Sequence, residues 1–465
     1  MSICAAHGSG FPGRRKRASP PRHGKGAALP PPGVRENTRA TVTACVENYC
    51  RRFRTLRELP AAFSPFAFTA RCPLRQRVFF CSAGCAGQEG TTAPSAFQKN
   101  FSGEIHRMKE YNVAVIGATG MVGQRFLLLL ENHPWFHVKA LAASPSSAGK
   151  KYRDAVAGRW AMPSPVPEKF ADMTVFNAET DVEKIAGMVD FVFCAVNMKK
   201  EEIRALEETY AKAEVPVISN NSAHRGTPDV PMIIPEINPE HAKIIDAQRK
   251  RLGTKRGFIA VKSNCSLQSY VPALHPLKKY GVKCAAVCTY QAISGAGKTF
   301  DRMPEIIDNV IPYIGGEEEK SELEPLKIWG HIEGDRIVNA ASPKITAQCL
   351  RVPVSDGHTA AVFVSFEKKP SKEEILQAWA DFSGVPQALN LPSAPRQFLH
   401  YFEENDRPQA KLDRMLENGM AVSVGRLRED ILFDYKFVCL SHNTLRGAAG
   451  GAVLMAELLA AKNYL

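Results

Sequence analysis

Asn112-Val-Ala-Val-Ile-Gly117-Ala-Thr-Gly120-Met-Val-Gly123-Gln-Arg-Phe-Leu-Leu-Leu-Leu-Glu131-Asn132 is the stretch on which the fold turns. A β-branched apolar run, Asn112–Ile116, leads into three glycines and then into a helix, Met121–Asn132, stopped by Pro134. Further strand-like runs occur at Phe136–Leu141, Met188–Val196, Val215–Asn220 and Gly257–Val261. Helical patterns at Lys199–Lys212 and Pro239–Leu252 separate them. Short apolar runs alternating with amphipathic helices predict a parallel sheet covered on both faces.

After Tyr280 the texture changes. Long strand-like runs at Lys283–Ser294, Arg351–Glu367 and Ala421–Leu432 flank a polar segment near Thr299–Pro312 that reads as helical. This predicts a second domain built on a largely antiparallel or mixed sheet. The tail, Thr444–Ala461, is a helix of small and apolar residues suited to packing back on the first domain. The resulting division is 108–264, 265–440 and 441–465, preceded by a leader at 1–107.

The chain has 465 residues and a net charge of +13, which would ordinarily raise the question of a nucleic-acid partner. The location of the charge removes it. Residues 1–107 hold 17 of the 60 basic residues and 5 of the 47 acidic ones, leaving 43 against 42 beyond. The body is therefore nearly neutral, and no nucleic-acid partner is expected. The leader, with Gly13-Arg-Arg-Lys-Arg17, Pro30–Pro32 and Arg51-Arg-Phe-Arg54, has no sustained periodicity and is expected to be disordered. It is either a transit peptide or an upstream extension of no function, which leaves the location cytoplasmic or plastid/organelle. No stretch reaches the roughly 18–20 apolar residues of a membrane-spanning helix, so no membrane partner is expected. Cys194, Cys265, Cys284, Cys288, Cys349 and Cys439 show no zinc spacing, and no metal is expected.

The glycines at 117, 120 and 123 fit a Rossmann-type dinucleotide site. They permit the tight turn, the close approach of a pyrophosphate and tight helix–strand packing. Gly117, Thr119, Gly120, Met121, Val122 and Gly123 are the expected contacts, with helix N–H groups facing the anion. An acidic residue about 20 positions on would read the ribose of NAD. Here the second strand runs into Ser144-Pro-Ser-Ser147-Ala-Gly-Lys150-Lys151, without a carboxylate before Asp154. Hydroxyls and ammoniums at Ser144, Ser147 and Lys150 suit a 2′-phosphate, so the cofactor expected is NADP(H). Gly295-Ala-Gly297-Lys298-Thr299 mimics the end of a phosphate-binding loop, but Ala292 stands where its first glycine belongs, which excludes an NTPase.

Ser263-Asn264-Cys265-Ser266 falls between strand Gly257–Val261 and a helical stretch, Ser266–Tyr280. A thiol at a helix N-terminus faces the positive dipole end, which favours the nucleophilic thiolate. On position alone Cys265 is either that nucleophile or a small core residue behind a helix cap.

Taken in order, Gly117–Gly123, Ser263-Asn-Cys-Ser-Leu-Gln268, Tyr290-Gln-Ala-Ile-Ser-Gly295, Arg351-Val-Pro-Val354 and Gly357-His358-Thr359 resemble aspartate-semialdehyde dehydrogenases of the archaeal and fungal-type branch. The resemblance runs from about Asn112 to the C-terminus. It implies a Rossmann-type domain plus an α+β catalytic and dimerisation domain with a mixed sheet, as in glyceraldehyde-3-phosphate dehydrogenase. It further implies a homodimer or homotetramer and NADP-dependent reduction of L-aspartyl 4-phosphate to the semialdehyde. The family's nucleophile falls on Cys265 and its acid/base on His358, which would help form the thiolate. Substrate contacts fall on Arg351 for the carboxylate and on Gln291. Glu317 would meet the amino group, with Glu318 and Glu319 as open alternatives, and Lys320, Arg225 and Asn264 the phosphate. Ser294, Gly295 and Asn443 would lie near the nicotinamide. One departure is Ser146, where the family often has Arg. Another acyl reductase on the same scaffold, acting on malonyl-CoA or N-acetylglutamyl phosphate, is the alternative.

Overall fold

The computed structural model describes residues 110–465, so the expectations made for the leader fall outside the described residues. The first sheet contains β1 (Tyr111–Ile116), β2 (Phe136–Ala143), β3 (Val175–Asn177), β4 (Phe191–Cys194), β5 (Val217–Ser219) and β6 (Ile259–Val261). Its strand order is β3-β2-β1-β4-β5-β6, and every pair is parallel. Helices α1 (Met121–Leu130), α2 (Lys200–Lys212) and α3 (Ile245–Leu252) connect them. In α2 the buried positions Ile203, Leu206, Glu207, Tyr210 and Ala211 follow the 3.6-residue period, which is why this polar segment settles on the sheet by one stripe. Strand β3 carried too few apolar residues to be expected. The order reverses between β1 and β4, and this switch point is where open α/β sheets leave a crevice at the carboxyl ends of their strands.

Helix α4 (Leu267–Leu274) leaves the first sheet for the second, which comprises β7 (Val282–Gln291), β8 (Lys344–Arg351), β9 (His358–Phe366), β10 (Leu399–Phe402), β11 (Val422–Glu429) and β12 (Tyr435–Ser441). Their order is β8-β7-β9-β12-β11-β10, mixed as expected, with β8/β7 and β10/β11 parallel and the rest antiparallel. Two readings from the sequence need correction. The segment Thr299–Pro312 holds only short 3-10 turns at Phe300–Arg302 and Pro304–Ile306, because Pro304 and Pro312 deny it a continuous ladder. The helix lies further on, as α5 (Glu317–Ile328), entered through Gly316 at φ 70° and opened by three glutamates that suit its positive end. The run Arg351–Glu367 is not one strand either. Pro353 and Gly357 (φ 100°) break it, so Arg351 ends β8 and His358 begins β9. That break places Arg351 and His358 at strand ends on either side of the end of β7.

The tail forms a π turn, Leu445–Ala449, and α6 (Gly450–Ala461). Residues Gly450 to Ala460 are all buried, the mark of a helix enclosed by the fold. Their apolar side chains share one core with Val113, Phe126 and Phe193 of the first domain. Its one acid, Glu457, is buried but paired with His133 Nε2 at 2.9 Å. Truncating Leu458 there would cost about 2–5 kcal/mol. Among the described residues, no helix is long and apolar enough to cross a membrane and no group of side chains forms a metal cluster.

Candidate active site

Cys265 lies in the turn between β6 and α4, half-buried, with its Sγ 3.4 Å from His358 Nε2 at the start of β9. The backbone N–H of Ala292 donates to His358 Nδ1 at 3.0 Å. That nitrogen therefore holds a lone pair, and the neutral ring carries its proton on Nε2, facing the sulfur. Burial, and next the Arg351 guanidinium, bring the imidazole down to about 3. Burial pushes the Cys265 thiol above its ordinary value; Glu317 adds to the rise, against Lys262, Arg225 and Arg351. The resting pair is thus a neutral thiol and a neutral imidazole. The sequence predicts a thiolate at the helix terminus and a base at His358; in the free protein burial favours the thiol form of Cys265, and the ring nitrogen facing the sulfur is the one that carries the hydrogen.

Arg351 ends β8 with Nη1 donating to the Ala292 carbonyl at 2.8 Å, so Ala292 anchors both Arg351 and His358. Gly295, in the 3-10 turn Ile293–Ala296, leaves room for the two. A Cβ there would lie 2.9 Å from Arg351 Nη1 and 3.0 Å from His358 Nε2. Asn443 knits the same corner, its Nδ2 donating to Ser294 Oγ at 2.8 Å while its Oδ1 accepts the Gly357 N–H at 2.8 Å. Gly295, the first residue of Gly295-Ala-Gly297-Lys298-Thr299, accordingly packs against the thiol site.

Of the three glutamates, Glu317 is buried at the N-terminus of α5. Its carboxylate accepts from Asn264 Nδ2 at 2.9 Å, from Gln291 Nε2 at 3.3 Å and from Lys320 Nζ at 2.7 Å. Burial alone would raise its pKa, but Lys320 and these donors hold it below the usual carboxylate value. Glu318 turns away to accept the Cys349 N–H at 3.2 Å, and Glu319 lines a neighbouring cavity of 410 Å³. That cavity brings Arg225 and Lys320 together. Asn264, expected to meet the phosphate, and the neighbouring Ser266 have their own backbone N–H groups engaged within the site. Asn264 N–H donates to Glu324 Oε2 at 2.7 Å, and Ser266 N–H to Asn264 Oδ1 at 2.8 Å.

Several neighbours escaped the sequence reading. Glu324 accepts from Arg225 Nη1 at 3.1 Å, and its place seven residues after Glu317 on α5 was the available signal. Lys262 is buried next to the thiol turn, its Nζ donating to the Ser263 carbonyl at 2.6 Å, and burial brings it down to about 7. Arg446, from the π turn, pairs with Glu236 and donates to Gln268 Oε1 at 3.0 Å, and Gln268 in turn holds Ser263 Oγ at 2.8 Å. Nothing in the local sequence joins these three segments.

The dinucleotide crevice lies along the same carboxyl edge of the first sheet that β6 leaves to reach Cys265. A cavity of 330 Å³ opens between Gly117, Thr119, Gly120 and Ser144 on one side and Ala195–Met198 after β4 on the other. The glycines have distinct duties. A Cβ at Gly117 would lie 2.3 Å from the Ala195 carbonyl oxygen and one at Gly123 2.2 Å from that of Gly117. At Gly120 it would meet only the Gly117 oxygen, at 3.5 Å, so that backbone is open to a ligand. The first N–H groups of α1, Met121 to Gly123, have no intrahelical acceptor by construction. Bare backbone, free N–H groups and a cavity at the switch point fit a pyrophosphate. Ser144 lines this cavity, Ser147 is buried behind it, and Lys150 is exposed and not among its lining residues.

The fold thus combines a crevice shaped for a dinucleotide with a thiol–imidazole pair beside a buried Arg. The semialdehyde dehydrogenase NAD-binding domain matches residues 112–245, and the semialdehyde dehydrogenase dimerisation domain matches 274–446. Aspartate-semialdehyde dehydrogenase of Methanothermobacter thermautotrophicus is 44% identical over 351 residues, covering 75% of this chain and 98% of that protein. The Saccharomyces cerevisiae enzyme of the same name is 43% identical over 365 residues, covering 76% and 98%. The crystal structure of Candida albicans aspartate-semialdehyde dehydrogenase with NADP superimposes with a TM-score of 0.69 at 39% identity, covering 77% of this chain and 100% of that one. The chain belongs to the aspartate-semialdehyde dehydrogenase family.

Proposed function

We propose that this chain catalyses the NADP-dependent reductive dephosphorylation of L-aspartyl 4-phosphate to L-aspartate 4-semialdehyde through an acyl group carried on Cys265. The observation that carries it is the 3.4 Å contact between Cys265 Sγ and His358 Nε2, with Arg351 anchored beside it. The substrate offers a carboxylate, an ammonium and an acyl phosphate. Arg351 suits the first as a planar fork, Glu317 the second, and Arg225 with Lys320 the third. Asn264 and Gln291 hold Glu317 in place.

Cys265 Sγ bonds to the acyl carbon as the carbon–oxygen bond to phosphate breaks, and the sulfhydryl proton leaves with the phosphate. When bound, the dihydronicotinamide supplies the hydride that the resulting thioester accepts. His358 Nε2–H then donates to the oxyanion and afterwards to the departing sulfur, which takes a solvent proton to regenerate the thiol. A preorganised donor of this kind is worth about 3–4 kcal/mol in the transition state. A thioester suits this because its carbonyl accepts hydride more readily than an ester's.

Gly117–Gly123, Ser144 and Ser147 would hold the dinucleotide within a domain spanning 108–264. Ser294, Gly295 and Asn443 would flank its nicotinamide. Residues 265–440 would then carry catalysis and pairing with a second copy, as homodimer or homotetramer, and 441–465 would return to the first domain. The test is NADPH formation by the full chain from aspartate semialdehyde, phosphate and NADP. Turnover should need all three and fail with coenzyme A in place of phosphate; turnover independent of phosphate would overturn the reading.

A further inference from the structure

We propose that Arg159 reads the 2′-phosphate of the bound dinucleotide, an assignment that rests on the NADP reading above. Among the described residues that line the crevice, Arg159 is the one basic side chain. The ammonium groups expected for this task are elsewhere. Lys151 donates to Asp172 Oδ1 at 3.0 Å, and Lys150 is exposed outside the cavity wall.

Arg159 is held from two directions. Its backbone carbonyl accepts from Gln124 Nε2 at 3.1 Å, and the Ala161 N–H donates to Gln124 Oε1 at 2.8 Å. Gln124 is buried in α1, directly after the last glycine of the turn, so the loop carrying Arg159 is fastened to the helix that opens the crevice. Tyr152 reinforces this, its hydroxyl donating to the Ala118 carbonyl at 2.9 Å. At the other end, Arg159 Nη2 donates to the Ala155 carbonyl and, at 3.3 Å, to Ser147 Oγ. These contacts use one guanidinium nitrogen. Among the described residues Nε and Nη1 make no hydrogen bond, which leaves the two nitrogens for a phosphate. Ser144 Oγ, 3.0 Å from Ser146 Oγ, supplies hydroxyl donors on the facing loop. The cation absent at Ser146 is thus restored from Arg159, which reaches back to the adjacent Ser147.

Glu179 lines the same cavity and makes the assignment testable, because a lone carboxylate favours a ribose hydroxyl over a phosphate. Binding of NADPH, NADH, 2′,5′-ADP and 5′-AMP to the full chain would be measured by calorimetry for wild type, Arg159→Gln and Arg159→Lys. Arg159→Gln should weaken NADPH and 2′,5′-ADP by about tenfold to a hundredfold and leave NADH and 5′-AMP within roughly twofold. Arg159→Lys should recover part of the loss, since a point charge replaces a fork. Equal weakening of all four ligands would make Arg159 a fold element and overturn the assignment. Unchanged NADPH affinity would overturn it while leaving the NADP reading intact. A wild type that binds no NADPH would overturn both.

Discussion

Gly295→Ala probes the thiol site without replacing Cys265, Arg351 or His358. The added Cβ would stand 2.9 Å from Arg351 Nη1 and 3.0 Å from His358 Nε2, where ordinary contact begins near 3.4 Å. Each group must therefore retreat by about 0.4–0.5 Å, and neither can do so freely. Arg351 is buried and tied to the Ala292 carbonyl, and His358 is buried and tied to the Ala292 N–H. A misplacement of 1 Å can cost about a hundredfold in rate, so half of that should lower kcat/KM on the order of tenfold or more. Residue 295 is itself exposed with negative φ, so Tm should move little. The assay is phosphate-dependent NADP reduction with a melt alongside. Wild-type kcat/KM would refute the claim that Arg351 and His358 need their observed spacing, and so would a loss matched by a large fall in Tm.

Cys265→Ser should lower turnover by orders of magnitude while calorimetry still finds NADPH bound; near-normal turnover would remove the nucleophile assignment. Arg351→Lys should raise KM for the semialdehyde more than it lowers kcat, and unchanged kinetics would make Arg351 structural. Because burial raises the Cys265 thiol, its alkylation by iodoacetamide in the free protein should keep accelerating past the pH range of an ordinary thiol; a plateau near neutrality would signal a resting thiolate. Lys262 sits near 7 when folded against 10.5 unfolded, so between those values the unfolded chain binds the extra proton and stability rises with pH. Urea melts should show wild type gaining on Lys262→Met by at most about 1.4 kcal/mol per pH unit across that window, with the variant more stable below it; parallel curves would place Lys262 in solvent.

What the sequence made legible follows from range. The turn Gly117–Gly123 could be read because its strand, glycines and helix are contiguous, and their periodicities change within a dozen residues. The thiol site is a different object. Cys265 comes from a turn, Gln291 from the end of β7, Glu317 from α5, Arg351 and His358 from two strand ends, and Asn443 from the start of the tail. Only an ordered set of motifs could join them, and it joined the residues that face a ligand. It did not find those behind them. Lys262, Gln268 and Arg446 meet through burial and hydrogen bonds that leave no periodic trace, since each stands alone in an apolar or small-residue context. Arg159 was hidden for the same reason, its loop reaching the crevice through Gln124.

The disagreement over the thiol is one of magnitudes. A helix N-terminus contributes about 0.3–1 kcal/mol to a nearby anion, up to about 2 in a sheltered geometry. Burial acts the other way, penalising the charged thiolate, and it is the largest influence on Cys265. Cys265 stands in front of a helix of only eight residues, beside the Glu317 carboxylate, so burial decides and the proton stays on sulfur. The same burial keeps His358 neutral, and the Ala292 N–H fixes which nitrogen carries its hydrogen. An imidazole in that tautomer cannot take a proton from the thiol; it can only give one. On the mechanism proposed above, the base for the first step would arrive with the substrate, the departing phosphate being the group able to carry the proton away. Activation is thereby tied to the presence of an acyl phosphate, and a free thiol that is mostly protonated is also the less reactive one toward other electrophiles.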